Sequence, residues 1–139
     1  MRLQDKVAIV TGAGSGFGAG IARRFAEEGA KVVAIDISPS GERSAREIGA
    51  TFVQADVTRH EDWERLVQAA TGIFGRLDIV VNNAGWTHRK KPVLETTEAE
   101  FDKVYAVNVK SVFLSVTHAL PAFLEQGGGV FVNIASTAG

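Results

Sequence analysis

Cysteine is absent from the 139-residue chain. That excludes a disulfide framework, a thiolate nucleophile and any Cys-ligated metal site. The absence is compatible with a reducing compartment, and the cytoplasm is the expected location. A surplus of one charge is missing too: 15 Lys and Arg stand against 16 Asp and Glu, a formal net charge of -1. No global field then draws in nucleic acid or an anionic membrane, and neither is an expected partner. A signal-like N-terminus is lacking as well. The opening Met1-Arg2-Leu3-Gln4-Asp5-Lys6 is mixed in charge, and the hydrophobic stretch after it is too short for a signal peptide or a membrane span. What remains is ordinary globular material, 45% hydrophobic and 22% charged, long enough for one domain with its own core.

Five short β-branched runs punctuate the chain: Lys6 to Thr11, Lys31 to Asp36, Thr51 to Asp56, Asp78 to Asn82 and Val130 to Ile134. Several are apolar at successive positions, as strands covered on both faces must be. Between them lie helical stretches. Phe17, Ile21 and Phe25 recur every fourth residue, predicting a helix over Phe17 to Glu28 that packs this face on a sheet. A short helix is expected around Gly41 to Ile48. Thr58-Arg59-His60-Glu61 and Thr97-Glu98-Ala99-Glu100 both match the capping box and predict helix starts before Trp63 and Phe101. Strand and helix alternate without repeats or a linker, so the fold class is α/β, a doubly wound parallel sheet. Residues 1–139 form one Rossmann-type nucleotide-binding unit on this reading. A sheet of two mononucleotide halves has at least a sixth strand beyond the fifth, so the sequence reads as the N-terminal portion of a single-domain protein. Were Val130 to Ile134 the last strand, it would be a hydrophobic sheet edge and a liability for solubility.

The first strand runs into Thr11-Gly12-Ala13-Gly14-Ser15-Gly16-Phe17-Gly18 and then a helix. Glycines at such a turn permit positive φ and a close approach of the backbone to a pyrophosphate, with the helix N-terminus facing the negative charge. Gly18 would let the helix pack tightly against the strand. Asp36 ends the second strand, 18 residues after Gly18, where an acidic residue hydrogen-bonds an adenosine ribose. Its carboxylate would repel a 2′-phosphate, and neither Ser15 nor Ile37 supplies the cation that NADP needs, so NAD is the expected cofactor. A methyltransferase using S-adenosylmethionine also combines a glycine-rich turn with an acid ending the second strand. Its first strand usually ends in an acid, where this chain has Thr11.

The spacing of Thr11, Gly12, Gly16 and Gly18, followed by Asn82-Asn83-Ala84-Gly85 at the end of the fourth strand, resembles the short-chain dehydrogenase/reductase family. Asp56-Val57 after the third strand and Asn133-Ile134-Ala135-Ser136-Thr137-Ala138-Gly139 after the fifth agree, and the resemblance covers the whole chain. It implies that Asp56 and Val57 contact adenine, that Asn82, Asn83, Ala84 and Gly85 shape the cofactor wall, and that Ser136 is the catalytic serine. Asn108, in Val107-Asn108-Val109, resembles the family's catalytic asparagine. It implies an NAD-dependent oxidoreductase that moves a hydride between nicotinamide and a small secondary alcohol or ketone, working as a homo-oligomer. Gly12, Asp36, Asp56, Asn82 and Ser136 also fall at the carboxyl ends of predicted strands, where ligands of such sheets bind. A local turn role remains open for Asn82 and Asn83, and a plain loop role for Ser136. Asn inside a helix competes with the backbone for hydrogen bonds, so Asn108 reads as a kink holding a water or as a satisfied amide.

The family's remaining pair is Tyr-x-x-x-Lys, in which the ammonium lowers the tyrosine pKa and suits it to proton transfer. The single tyrosine, Tyr105, has Val109 four residues on and Lys110 at five, so it does not match. The pair is expected beyond Gly139; the alternative is a non-catalytic dinucleotide-binding module. The cationic stretch Trp86-Thr87-His88-Arg89-Lys90-Lys91-Pro92 reads as a solvated loop or as the border of an acidic substrate. His60 and His118 lie on predicted helices without clustered acids or other histidines, so no metal is expected. The helix from Phe101 to Leu124 is apolar on more than one face, implying burial by the sheet on one side and, on the other, by another subunit or by core from the rest of the protein.

Overall fold

A computed structural model describes residues 1–136. Strand β1 (Val7–Thr11) is buried at every position because both its faces are covered. Val7 and Ile9 join one hydrophobic cluster and Val10 joins another on the opposite face, as the two-residue period of a strand requires. Strand β2 (Lys31–Asp36) divides the same way, Val33 and Ile35 against Val32 and Ala34. Three layers follow: helices, one sheet, helices.

The sheet holds β1, β2, β3 (Thr51–Gln54), β4 (Ile79–Asn82) and β5 (Val130–Asn133), all parallel, in the order β3-β2-β1-β4-β5. The chain moves outward from β1 to β3, then returns to the other side of β1 for β4. The boundary between β1 and β4 is therefore the switch point at which such sheets open a crevice. This is the doubly wound α/β fold expected from the sequence.

Helices α1 (Gly16–Glu27) and α2 (Gly41–Glu47) cover one face with Ala22 and Ala45. On the other face lie α3 (His60–Phe74) and α5 (Ser111–Gln126), which deliver Trp63, Leu66, Ala70, Leu114, Ala119 and Phe123 to the core. Trp63 is fully buried and donates its indole N–H to the Val57 carbonyl at 2.9 Å, so the largest core side chain carries no unmet polar group. Asp78 precedes β4 instead of opening it. It accepts the Val7 amide at 2.9 Å and both arms of Arg76, at 2.8 and 2.6 Å.

Several sequence expectations change. Phe17 does not pack on the sheet; it is 85% exposed, while Ile21 and Phe25 of the same row are packed. It sits in the first turn of α1, where helix side chains lean back toward the N-terminus, beyond the edge of the sheet. The Thr58 capping box does not form: the Thr58 hydroxyl donates to Asp56 at 2.6 Å, and α3 starts after Arg59 with no side-chain cap. The Thr97 box does form, closing the start of α4 (Glu98–Tyr105) with both reciprocal bonds at 3.1 Å. The long helix is not uniform. A π turn at Ala106–Lys110 separates α4 from α5, and π turns mark places where a helix admits one extra residue, often at functional sites. One face of α5 packs on the sheet. The other face of α4 and α5 leaves Phe101, Tyr105, Val109, Phe113 and Leu124 exposed. β5 is the sheet edge, with Val130 54% exposed.

Candidate functional site

A cleft of about 460 Å³ opens over the β1/β4 boundary. Its lining includes Gly12, Ser15 and Phe17 from the glycine turn, Asp36 and Ile37 after β2, Asp56 and Val57 after β3, and Asn83, Ala84 and Gly85 after β4. These residues come from four separate strand ends; Asn82 and Ser136, expected at the same edge, do not line the cleft.

The turn between β1 and α1 requires its glycine at position 12: φ is +63°, and a Cβ there would stand 2.9 Å from the Ala84 Cα. Ser15 is the extended residue before α1; its side chain makes no cap, and no acid lies in the first helical turn. The positive end of α1 is therefore not neutralised by its own side chains. Asp36 is held by two backbone donors, the Gly14 N–H at 2.9 Å and the Ser38 N–H at 3.0 Å. Asp56 accepts the Thr58 N–H and hydroxyl, and its own N–H donates to Asp62 at 2.8 Å.

Behind the walls, Thr11, Gly18 and Asn82 are buried, while Gly14 and Gly16 are accessible but do not line the cleft. The Thr11 hydroxyl accepts the N–H groups of both Asn83 and Ala84 at 3.0 Å. The Asn83 amide returns across the boundary to the carbonyls of Thr11 and Gly12, at 3.1 and 3.3 Å. Asn82 donates to Ser115 on α5 and to Asn133 on β5, both at 2.9 Å. The turn role foreseen for these asparagines is thus a set of ties between neighbouring elements.

Asn108 sits in the middle of the π turn. Its amide grips the backbone of Trp86 from both sides, accepting the N–H at 2.8 Å and donating to the carbonyl at 2.9 Å. The side chain is satisfied, though exposed and not buried. Ser136 follows β5 at the same sheet edge; neither it nor Asn108 lines the cleft. Thr137, Ala138 and Gly139 lie outside the described residues.

Two features were not found from sequence. Lys103 lines the cleft beside Trp86, with its ammonium 4.0 Å from the indole centroid. Its spacing of four from Val107, also a lining residue, was the available signal. His60 and His118 are not isolated: His118 Nε2 and His60 Nδ1 are 2.8 Å apart. Of the cationic loop, Lys91 pairs with Glu100 at 2.5 Å, whereas Arg89 and Lys90 are exposed and make no ion pair among the described residues. Among the described residues no group of three or more His, Cys, Asp or Glu is gathered for a metal.

The sequence model of the short chain dehydrogenases matches residues 6–139. The chain belongs to that family. The 4-formylbenzenesulfonate dehydrogenase of Comamonas testosteroni is 52% identical over the whole chain, which spans 58% of that protein. The 2-(R)-hydroxypropyl-CoM dehydrogenase of Xanthobacter autotrophicus is 46% identical over 96% of the chain and 57% of its own length. Among solved structures, the 3-ketoacyl-(acyl-carrier-protein) reductase of Brucella melitensis, complexed with NADH, superposes with a TM-score of 0.94 at 45% identity, covering 98% of this chain and 59% of that one. The chain thus spans a little over half the length of the relatives it matches. The short-chain dehydrogenases are oxidoreductases that bind nicotinamide dinucleotides, and the methyltransferase alternative falls away with the assignment.

Proposed function

We propose that the protein is an NAD-dependent oxidoreductase exchanging a hydride with a small secondary alcohol or ketone, and that residues 1–139 supply its dinucleotide site. The observation that carries this reading is the cleft over the β1/β4 boundary, where the glycine turn and Asp36 line one cavity. The residues fit the group. The uncapped N–H groups at the start of α1 suit a pyrophosphate. The Asp36 carboxylate, already oriented by Gly14 and Ser38, accepts ribose hydroxyls and opposes a 2′-phosphate. Ser15 and Ile37 add no cation that would reverse that preference. Asp56 and Val57 take the adenine end, and Asn82, Asn83, Ala84 and Gly85 keep the far wall in place. Bound in this cleft, NAD supplies the acceptor for the hydride.

Ser136 orients the substrate oxygen in this reading. Asn108 holds the Trp86 backbone against the π turn and positions a relay water there. Tyr105 does not move the proton: it is exposed and stacks with Phe101, their centroids 6.3 Å apart. The Tyr-x-x-x-Lys pair is assigned to the part of the protein outside this chain. The exposed apolar face of α4 and α5 is assigned to a contact between subunits of a homo-oligomer. Arg89 and Lys90, without ion pairs among the described residues, favour a substrate bearing negative charge.

Fluorescence titration of the full-length protein with NADH and NADPH tests the cofactor assignment. NADH should bind at least roughly tenfold tighter, a difference of about 1.4 kcal/mol. Equal or tighter NADPH binding would overturn it. Turnover is then assayed with neutral and sulfonated aldehydes, ketones and secondary alcohols. Tight NADH binding with no turnover of any would leave the non-catalytic module in its place.

A further inference from the structure

The two histidines paired across the molecule lie outside everything assigned to the cleft. His60 opens α3, and His118 stands midway along α5. Their helices cover the same face of the sheet, anchored there by Trp63, Leu66, Leu114 and Ala119. The imidazoles meet at 2.8 Å between His118 Nε2 and His60 Nδ1, with ring centroids 4.4 Å apart and a tilt of 58°. A neutral imidazole has one N–H and one lone pair, so this contact places at least one lone pair on the line between the rings. His60 is exposed and His118 half-buried, leaving the pair open to solvent.

We infer that His60 and His118 form a two-imidazole site for a divalent transition metal of the zinc, nickel or copper type, bridging α3 and α5. Zinc–imidazole bonds of about 2.0 to 2.1 Å in tetrahedral geometry put the two nitrogens about 3.3 Å apart. The present 2.8 Å contact is about 0.5 Å shorter than that distance.

Charge around the pair is mixed: the N-terminal end of α3, Arg59 and Arg65 oppose a cation, Glu61 and Asp62 pair with those arginines at 3.9 and 3.6 Å, and Glu64 follows one turn after His60. The only other charged residue of α5 is Glu125, seven positions beyond His118. No ready-made third ligand completes a cluster among the described residues, so water fills the remaining positions. Such a site selects by ligand softness. Imidazole nitrogens suit zinc, nickel and copper, while magnesium and calcium prefer oxygen.

The test is isothermal titration of the full-length protein, freed of metal by chelation, with zinc chloride, nickel chloride and magnesium chloride at pH 7.5. The wild type is expected to bind zinc and nickel and not magnesium. Both His60→Ala and His118→Gln should weaken zinc at least roughly tenfold, since each removes one of two ligands. His60 is exposed, so His60→Ala is expected to fold normally, which circular dichroism checks. Zinc affinity should also fall at pH 5.5, where protons compete for the nitrogens. No zinc binding by the wild type, or full affinity retained in either folded variant, overturns the assignment.

Discussion

Adding one methyl group at Gly18 should separate the glycine turn from its helix. A Cβ built there stands 2.6 Å from the Gly12 carbonyl carbon and nearer still to its oxygen, against an ordinary lower limit of 3.4 Å. The shortfall is 0.8 Å at the carbon alone, which is backbone, and the same Cβ stands 2.5 Å from the Asn83 side-chain nitrogen. No rotamer relieves it, so α1 must move away from the turn after β1. Overpacking of this kind costs roughly 1 to 3 kcal/mol, and a backbone neighbour places Gly18→Ala near the upper end. Replacing glycine by alanine within a helix also stabilises by about 1 kcal/mol, which would mask part of the loss. Gly20 supplies the control: it lies in the same helix and an added Cβ meets nothing within 4 Å. Gly20→Ala should therefore gain up to about 1 kcal/mol. The difference between the two variants cancels the propensity and isolates the clash, expected at about 3 kcal/mol. Equilibrium unfolding of both full-length variants in urea measures it, with NADH titration alongside. If Gly18→Ala proves as stable as Gly20→Ala and binds NADH unchanged, the close approach of α1 to the turn is not what positions the site.

Thr11→Val keeps the shape of a fully buried side chain but leaves the Asn83 and Ala84 amides without their shared acceptor. It should cost about 1 to 3 kcal/mol in chemical denaturation and weaken NADH binding. Glu28 is held by Arg2 through a side-chain and a backbone hydrogen bond, and its pKa is lowered from 4.5 to about 2. A lowered carboxylate pKa stabilises the fold above the unfolded value and loses that contribution as pH falls through the folded one. Glu28→Gln should thus flatten the acid limb of the stability profile between pH 4.5 and about 2, lowering stability at pH 7 and leaving it little changed near pH 2. Thr97→Ala removes one half of the capping box at the start of α4 and should lower stability by about 1 kcal/mol in thermal melts. Asn108→Ala frees the Trp86 backbone; a shift in tryptophan emission, with a lower kcat and little change in NADH affinity, is the expected result.

Most of the fold was legible because its signals are local. Unbroken β-branched runs identified doubly covered strands, and the glycine turn between a strand and a helix located the switch point. Asp36 could be placed from spacing alone. Failures arose where a nearby competitor or a distant partner decided the outcome. Thr58 carries a capping sequence, but the Asp56 carboxylate two residues earlier takes its hydroxyl. Phe17 continues a helical row, yet the row begins before the helix reaches the sheet. His60 and His118 are 58 residues apart, and no periodicity connects them. Asn108 falls between: its unfavourable position in a helix signalled something to compensate it. The π turn and the grip on Trp86 are that compensation, and only the folded chain reveals them.

The bonds that frame the cleft share one chemical character. Thr11, Asn82, Asn83, Asn108, Ser115 and Asn133 tie β1, β4, β5, α5 and the π turn together through hydroxyls and amides alone. None of these groups titrates in the neutral range. A frame of this kind holds its shape while protons move nearby, as the proposed hydride exchange, which releases or takes up a proton, requires. Among the described residues, the ionisable groups in the walls are Asp36, Asp56 and Lys103, and both carboxylates are held by backbone N–H groups that fix their orientation. Rigidity and charge are therefore carried by different residues. Substituting the amides should loosen the site without changing which dinucleotide it prefers, whereas substituting Asp36 should change the preference and leave the frame standing.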